Sequence, residues 1–123
     1  MKYLAIIIIF IFASCYNDVG NIQIQGTIKD GLSKKPIGNA EVSIVCWSYG
    51  KTPDGSYTGK DSIFIIASKD GFYKCNFEKG AYIEVKVYSD GYQTGYKSDD
   101  IVNEKNIIDF DLKPNKATDF NLE

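Results

Sequence analysis

Residues 22–29 read IQIQGTIK, with Ile22, Ile24 and Ile28 separated by polar residues and one glycine. Successive side chains of a β-strand point to opposite faces, so this pattern predicts a strand with one face buried and one face in solvent. The alternation stops at Asp30-Gly31, a dipeptide typical of turns. The stretch therefore predicts a sheet that covers a core with one face.

Similar patterns recur along the chain and are separated by segments rich in Gly, Pro, Asp, Ser and Lys. The further predicted strands are 40–49, 62–68, 72–77, 82–89 and 106–112. The segments 50–61 and 97–105 are polar and are predicted to be loops. Six or seven short strands without a helical spacing predict an all-β fold, a seven-stranded antiparallel Greek-key sandwich.

The composition excludes several kinds of chemistry. The chain has 123 residues and a net charge of -2, and all 14 of its basic residues are Lys, with no His. Without His there is no Ser-His-Asp or Cys-His catalytic system and no His-based metal site. Without Arg there is no bidentate group for phosphate or guanine, which argues against a nucleic-acid partner. We predict no cofactor, no metal and no catalytic residue.

The first fourteen residues have the pattern of a targeting segment. Lys2 precedes ten apolar residues, 3–12, too few to span a bilayer and typical of a secretory signal. Phe12-Ala13-Ser14-Cys15 resembles the lipobox of bacterial lipoproteins, which implies removal of 1–14 and acylation of Cys15. The alternative is a plain signal peptide with an incidental cysteine. We expect 15–21 to be a short tether that reaches about 20 Å.

Four short motifs occur in order after the tether: Gly26-Thr27-Ile28-Lys29-Asp30, Pro36-Ile37-Gly38-Asn39-Ala40-Glu41-Val42, Asp70-Gly71-Phe72-Tyr73 and Ser89-Asp90-Gly91-Tyr92. Their order resembles the carboxypeptidase regulatory-like domain, a transthyretin-like (prealbumin-like) sandwich related to Ig-like folds. The resemblance covers 22–114 and leaves 115–123 as a tail. It implies a small Bacteroidetes-type lipoprotein of the cell envelope, held on the outer membrane and facing the periplasm or the surface. We expect the Tyr92 hydroxyl to bond to backbone.

Cys46 and Cys75 both lie at inward positions of the alternation. The resemblance implies that their strands belong to facing sheets, so the two thiols are a candidate disulfide outside the cytoplasm. The alternative is two separate buried thiols that act as small hydrophobic side chains.

Trp47, Tyr49 and Tyr57 are the candidate ligand-binding residues. Exposed aromatic rings stack on sugars or anchor partner proteins, while the alternative is that a neighbouring loop covers Trp47.

We therefore predict a lipid-anchored, non-enzymatic module that binds or scaffolds an envelope protein or a glycan. One alternative is a carbohydrate-binding module that uses the three aromatic residues. Another is an enzyme that uses paired carboxylates such as Asp99 and Asp100. Known enzymes of related fold need His or Arg, which this chain lacks.

Overall fold

A computed structural model describes residues 17–49 and 57–115. The predicted signal peptide 1–14, the predicted lipidation residue Cys15, the loop segment 50–56 and the tail from 116 onward lie outside the described residues. The described chain forms eight strands: β1 (Val19–Asp30), β2 (Glu41–Ser48), β3 (Gly59–Ile66), β4 (Phe72–Gly80), β5 (Tyr82–Tyr88), β6 (Gly95–Asp100), β7 (Lys105–Ile107) and β8 (Phe110–Leu112).

The strands form two sheets that pack face to face. The first sheet has the order β4-β1-β7, and β8 also pairs with β1. The second sheet has the order β3-β2-β5-β6. β1 starts at Val19, so it takes in the last residues of the predicted tether. The predicted all-β sandwich is confirmed.

The core lies between the sheets and is built from the residues that the alternation points inward. Ile22, Ile24 and Ile28 of β1 are fully buried. Three further strands point alternate residues into the core: Val42, Ile44 and Cys46 of β2; Ile83, Val85 and Val87 of β5; and Tyr73, Cys75 and Phe77 of β4. Removing these apolar surfaces from water is the main stabilising contribution to the sandwich. The inward faces predicted from the sequence are confirmed.

The last predicted strand, 106–112, is two strands in the structure, and both differ from the all-antiparallel expectation. β7 and β8 run parallel to β1, on the edge of β1 opposite β4. Between them the chain passes over Gly26, where an added Cβ would overlap the Ile108 carbonyl oxygen. The buried Tyr73 hydroxyl donates to that same oxygen. The split therefore follows from a close approach that only glycine allows.

Two predicted loop boundaries are wrong. The sequence predicts a loop over residues 97–105, but Lys97 to Asp100 belong to β6, which pairs with β5. Five of the six β6 residues are exposed, since an edge strand can be held by backbone hydrogen bonds without burying side chains. β3 likewise starts at Gly59, three residues before the predicted strand.

The turn after β1 is held by a carboxylate. Asp30 Oδ1 accepts from the amides of Leu32 and Ser33 at 2.7 and 2.9 Å. Its Oδ2 accepts from the Tyr92 hydroxyl at 2.7 Å, so the expected bond from Tyr92 to backbone is wrong. These hydrogen bonds favour the charged carboxylate and lower the pKa of Asp30. At the same end, Gly71 has a φ of 78°, which favours glycine.

Candidate functional site

Four aromatic rings meet on the outer face of the second sheet. Trp47 of β2 and Tyr82 of β5 are cross-strand partners. Tyr57, two residues before β3, has its ring centroid 5.9 Å from that of Tyr82, 6.3 Å from that of Trp47 and 5.0 Å from that of Tyr49. We call Trp47, Tyr49, Tyr57 and Tyr82 the aromatic cluster. The structure thus brings the three predicted binding residues together and adds Tyr82.

The sequence did not show that Tyr82 belongs to the aromatic cluster, because its place beside Trp47 depends on the register between β2 and β5. Tyr82 begins a segment whose inward residues are Ile83, Val85 and Val87, so the alternation assigns it to the outer face. The pairing of Trp47 with Tyr82 could not be read from either segment alone. Once register is known, the cross-strand rule places the two rings side by side.

Within the aromatic cluster, the Tyr57 ring packs against the other three rings and is itself partly open to solvent. Trp47 and Tyr82 are half-buried, while 40% of the Tyr57 surface is exposed. The Tyr57 and Tyr82 rings are nearly parallel, with an interplanar angle of 20°. The two sequence-based expectations for Trp47, an exposed platform and a covered ring, therefore each describe part of the arrangement.

Charged groups fix the rings and surround them. Glu84 Oε1 accepts from the Trp47 indole nitrogen at 2.8 Å, and Glu84 Oε2 accepts from the Tyr96 hydroxyl at 2.8 Å. The Trp47 bond contributes most to lowering the pKa of Glu84, because both bonds favour its charged form. Lys60 places its ammonium 5.3 Å from the centroid of the Trp47 ring. The cluster is thus a preorganised aromatic surface with hydrogen-bonding groups at its rim.

The aromatic cluster lies at the end of the sandwich where β1 begins. The backbone amide of Tyr49 donates to Asp18 Oδ1 at 2.7 Å, and Asp18 directly precedes β1. The Ala81 amide donates to the Trp47 carbonyl, and the Ile101 amide donates to the Ala81 carbonyl. The starts of β1 and β5 and the ends of β2 and β6 therefore meet at one end, which we call the β1-start end.

The rest of the same outer face exposes further large apolar side chains. The exposed fractions are 59% for Phe64, 53% for Ile66, 48% for Tyr88 and 54% for Tyr96. Phe64 and Ile66 lie on the edge strand β3, and Glu41 lies between Ile66 and Tyr88 in the cross-strand register. Large apolar side chains concentrated on one face are typical of contact surfaces.

Cys46 and Cys75 are free thiols in this structure and both are buried. They lie on β2 and β4, in facing sheets, as the resemblance implied. Burial raises the pKa of each thiol to about 11, with the charges of Asp61 and Asp18 adding to the rise for Cys46. Cys46 also lines an open cleft of about 360 Å³, with Ser48 and Asp61. Their pairing in a disulfide stays a prediction.

Asp99, one of the carboxylates named for the enzyme alternative, and Asp109 both have structural partners. Asp109 Oδ1 accepts from the Thr27 amide at 2.8 Å, and Asp99 Oδ1 accepts from the Asp100 amide at 2.8 Å. Within 17–49 and 57–115, no group of three or more His, Cys, Asp and Glu residues is arranged to hold a metal ion. No helix in these same ranges is long and apolar enough to cross a bilayer.

Comparison with known proteins supports the fold. No protein family and no curated protein matches the sequence. Among solved structures, the chain is similar to 3-chlorocatechol 1,2-dioxygenase from Rhodococcus opacus 1CP, with a TM-score of 0.56 and 10% identity over 80% of this chain. It is also similar to the pilus 2b backbone protein of group B streptococcus, with a TM-score of 0.57 and 12% identity over 80% of this chain.

A third similar structure is catechol 1,2-dioxygenase from Acinetobacter radioresistens, with a TM-score of 0.57 and 11% identity over 79% of this chain. The chain spans 61%, 43% and 53% of the lengths of these three structures, in the order named. At such low identity the likeness concerns the fold alone, and it defines the chain as a β-sandwich protein.

Proposed function

We propose that this chain is a lipid-anchored, extracytoplasmic, non-catalytic β-sandwich module of the carboxypeptidase regulatory-like type. Cleavage before Cys15 and acylation of that residue would hold the module at the membrane. The support is the ten-residue apolar segment and its Ala13-Ser14-Cys15 ending, followed after three residues by a folded strand. Stable anchoring needs more than one acyl chain, which bacterial lipoprotein processing supplies.

The proposed role is binding of an envelope protein through the outer face of the second sheet. The observation that carries it is the concentration of Phe64, Ile66, Tyr88 and Tyr96, each about half exposed, on that face. Because the anchor and the first strand are separated by so few residues, the partner must lie close to the same membrane. Phe64 and Ile66 alternate along an edge strand, an arrangement suited to contact with an extended segment of a partner.

A non-catalytic role agrees with how the carboxylates are used. Glu84 orients the Trp47 and Tyr96 rings, Asp109 holds β1 beside the β7–β8 crossing, and Asp30 closes a turn. The likeness to the dioxygenases and to the pilus protein concerns the fold alone.

A second candidate function is carbohydrate binding on the aromatic cluster, which the contacts among Trp47, Tyr49, Tyr57 and Tyr82 favour. Sugars stack on such rings while polar groups at the rim bond their hydroxyls. If this function holds, oligosaccharides change the fluorescence of Trp47, the single Trp, and Trp47→Ala abolishes binding.

The first test separates anchoring from binding. We expect mass spectrometry of the mature protein to show an acylated N-terminal Cys15, and Cys15→Ser to leave the protein unacylated and released from membranes. A mature protein without acyl groups would contradict the anchoring.

The binding role is tested by placing a photo-crosslinking residue at Ile66 in the membrane-anchored protein, with the same residue at Gln25 on the outer face of the first sheet as the matched control. We expect a discrete crosslinked product from position 66 only, and Phe64→Ser to reduce it. Equal or absent crosslinking at both positions would contradict the binding face.

A further inference from the structure

We propose that the aromatic cluster lies against the surface of the lipid bilayer, at the level of the headgroups, when the chain is anchored. This inference rests on the proposed acylation of Cys15. It assigns the cluster a partner, a zwitterionic lipid surface, and so separates it from the protein-binding face farther along the same sheet.

The covalent chain sets the distance between anchor and cluster. Asp18 is three residues after Cys15, and its carboxylate accepts a hydrogen bond from the Tyr49 amide. Three extended residues reach about 10 Å. The headgroup layer on one side of a bilayer is about 5–8 Å thick. A cluster tied to Asp18 therefore cannot move far above that layer.

The chemistry of the cluster suits this position. Trp and Tyr are enriched where membranes meet water, because their rings are apolar and their N–H and O–H groups need polar partners. In this cluster the Trp47 indole N–H already has Glu84 as its acceptor, and the Tyr57 ring is partly exposed. Lys60, beside Trp47, has a flexible stem that allows its ammonium to reach a lipid phosphate.

Another apolar residue lies at the same end of the sandwich. This residue is Val102, and 73% of its surface is exposed. It lies two residues after Asp100, the last residue of β6, which pairs with Tyr82 of the cluster. At the opposite end, the turn after β1 also exposes one apolar side chain, Leu32, at 81%, but it lies among the charged residues Asp30, Lys34 and Lys35. The end that the tether holds nearest the membrane thus combines the aromatic cluster with an exposed aliphatic side chain.

The charges around the cluster specify the type of lipid surface. Among the described residues near the cluster, acids outnumber lysines: Asp18, Asp61, Glu78, Glu84 and Asp100 against Lys60, Lys79 and Lys86. An anionic membrane would repel this end of the molecule. The surface that fits is zwitterionic, such as one of phosphatidylethanolamine and phosphatidylcholine.

The test uses the intact acylated protein in vesicles of phosphatidylethanolamine and phosphatidylcholine, some of whose lipids are brominated close to the headgroup. Because Trp47 is the single Trp, its emission reports contact with these quenchers directly. We expect quenching to about half the intensity or less, since an interfacial Trp lies at the depth of the bromines. Replacing part of the lipid with phosphatidylglycerol should weaken the quenching.

The matched control moves the Trp along the same face. A Trp47→Phe/Tyr88→Trp variant, equally acylated, carries its Trp at the far end of β5, about 20 Å from position 47 at the usual strand rise. We expect its emission to be insensitive to the brominated lipids. Equal quenching at both positions, or none at position 47, would overturn the inference.

The outcomes keep this inference apart from the proposed function. If the protein fails to float with vesicles, the anchoring itself is wrong. If it floats but Trp47 is not quenched, only the bilayer contact is wrong. If Trp47 instead responds to soluble oligosaccharides and not to brominated lipid, the cluster is a glycan site and the inference is also overturned.

Discussion

The outer faces of the two sheets differ in composition. The outer face of the first sheet is mostly polar, with Gln23, Gln25 and Thr27 on β1 and Lys74 and Asn76 on β4, and it exposes two large apolar side chains, Phe72 and Ile107. The outer face of the second sheet carries the aromatic cluster and four more exposed apolar or aromatic side chains: Phe64, Ile66, Tyr88 and Tyr96. This difference supports the binding role that we propose for the second sheet.

The interiors of the sheets differ as well. The first sheet contains a tightly constrained crossing, where Gly26 lies under the Ile108 carbonyl and the Tyr73 hydroxyl bonds to that oxygen. The inner face of the second sheet is a regular array of Val, Ile and Cys side chains. The first sheet therefore holds the fold's strictest packing requirement, and the second sheet holds the surface that we propose for binding.

The largest loss of stability is expected from a substitution at the β7–β8 crossing in the first sheet. Gly26→Val would force the β7–β8 crossing away from β1, because its Cβ would overlap the Ile108 carbonyl. We expect a loss of about 3 kcal/mol or more in the free energy of unfolding, measured by urea denaturation. The neighbouring Gln25→Val, on the polar outer face, is the control and should change it by about 0.5 kcal/mol at most. Equal losses would contradict the strict packing assigned to this crossing.

The next prediction concerns the reactivity of the two buried thiols, Cys46 and Cys75, which lie on strands of facing sheets. For the free thiols seen in the structure, we expect iodoacetamide to label Cys46 and Cys75 slowly in the folded protein and fully after denaturation without reductant. Because both pKa values are about 11, the native rate should rise about tenfold per pH unit between pH 7 and 10.

A denatured protein that takes up no reagent until it is reduced would show the disulfide that the sequence suggested. That bond would close a loop of about 30 residues and stabilise the fold by roughly 3–4 kcal/mol in the chain-entropy model. Cys75→Ser is the control for either outcome, since it leaves one thiol that cannot form the intramolecular bond.

The smallest effect is expected on the outer face of the second sheet. The pKa of Glu84 is lower in the folded protein than in the unfolded chain, where the usual value is about 4.3. The ionised carboxylate therefore stabilises the fold above about pH 4.3, and this stabilisation is lost as the pH falls through the folded-state pKa. At pH 7, Glu84→Gln should lower Tm slightly. The loss in the free energy of unfolding should be less than about 1 kcal/mol, because the site is partly open to solvent. The difference from the parent should shrink as the pH falls below about 4.3. A difference that persists in acid would show that side-chain packing, and not charge, explains the effect.

Much of the fold could be predicted because alternation is a local property. The pattern of Ile22, Ile24 and Ile28 fixed which face of β1 is buried, and the same rule assigned the inward residues of β2, β4 and β5. The polar segment that became β6 could not be predicted, since its strand conformation depends on backbone bonds to β5 and not on its own side chains.

The candidate site divides in the same way. Trp47, Tyr49 and Tyr57 could be selected from residue type and position, whereas Tyr82 joined them only through the register of β2 with β5. The hydrogen bond between Asp18 and Tyr49, which brings the start of β1 to the cluster, joins residues 31 apart in sequence. No local pattern marks such a contact.

The sequence by itself determined the strands, their buried faces and the residue types from which a surface could be made, because side-chain alternation and turn chemistry act over a few neighbouring residues. Only the tertiary structure decided that β7 and β8 run parallel to β1, that exposed aromatic residues collect on one sheet, and that the chain enters the sandwich beside them. Those features depend on contacts between distant segments, which are selected by the packing of the whole core.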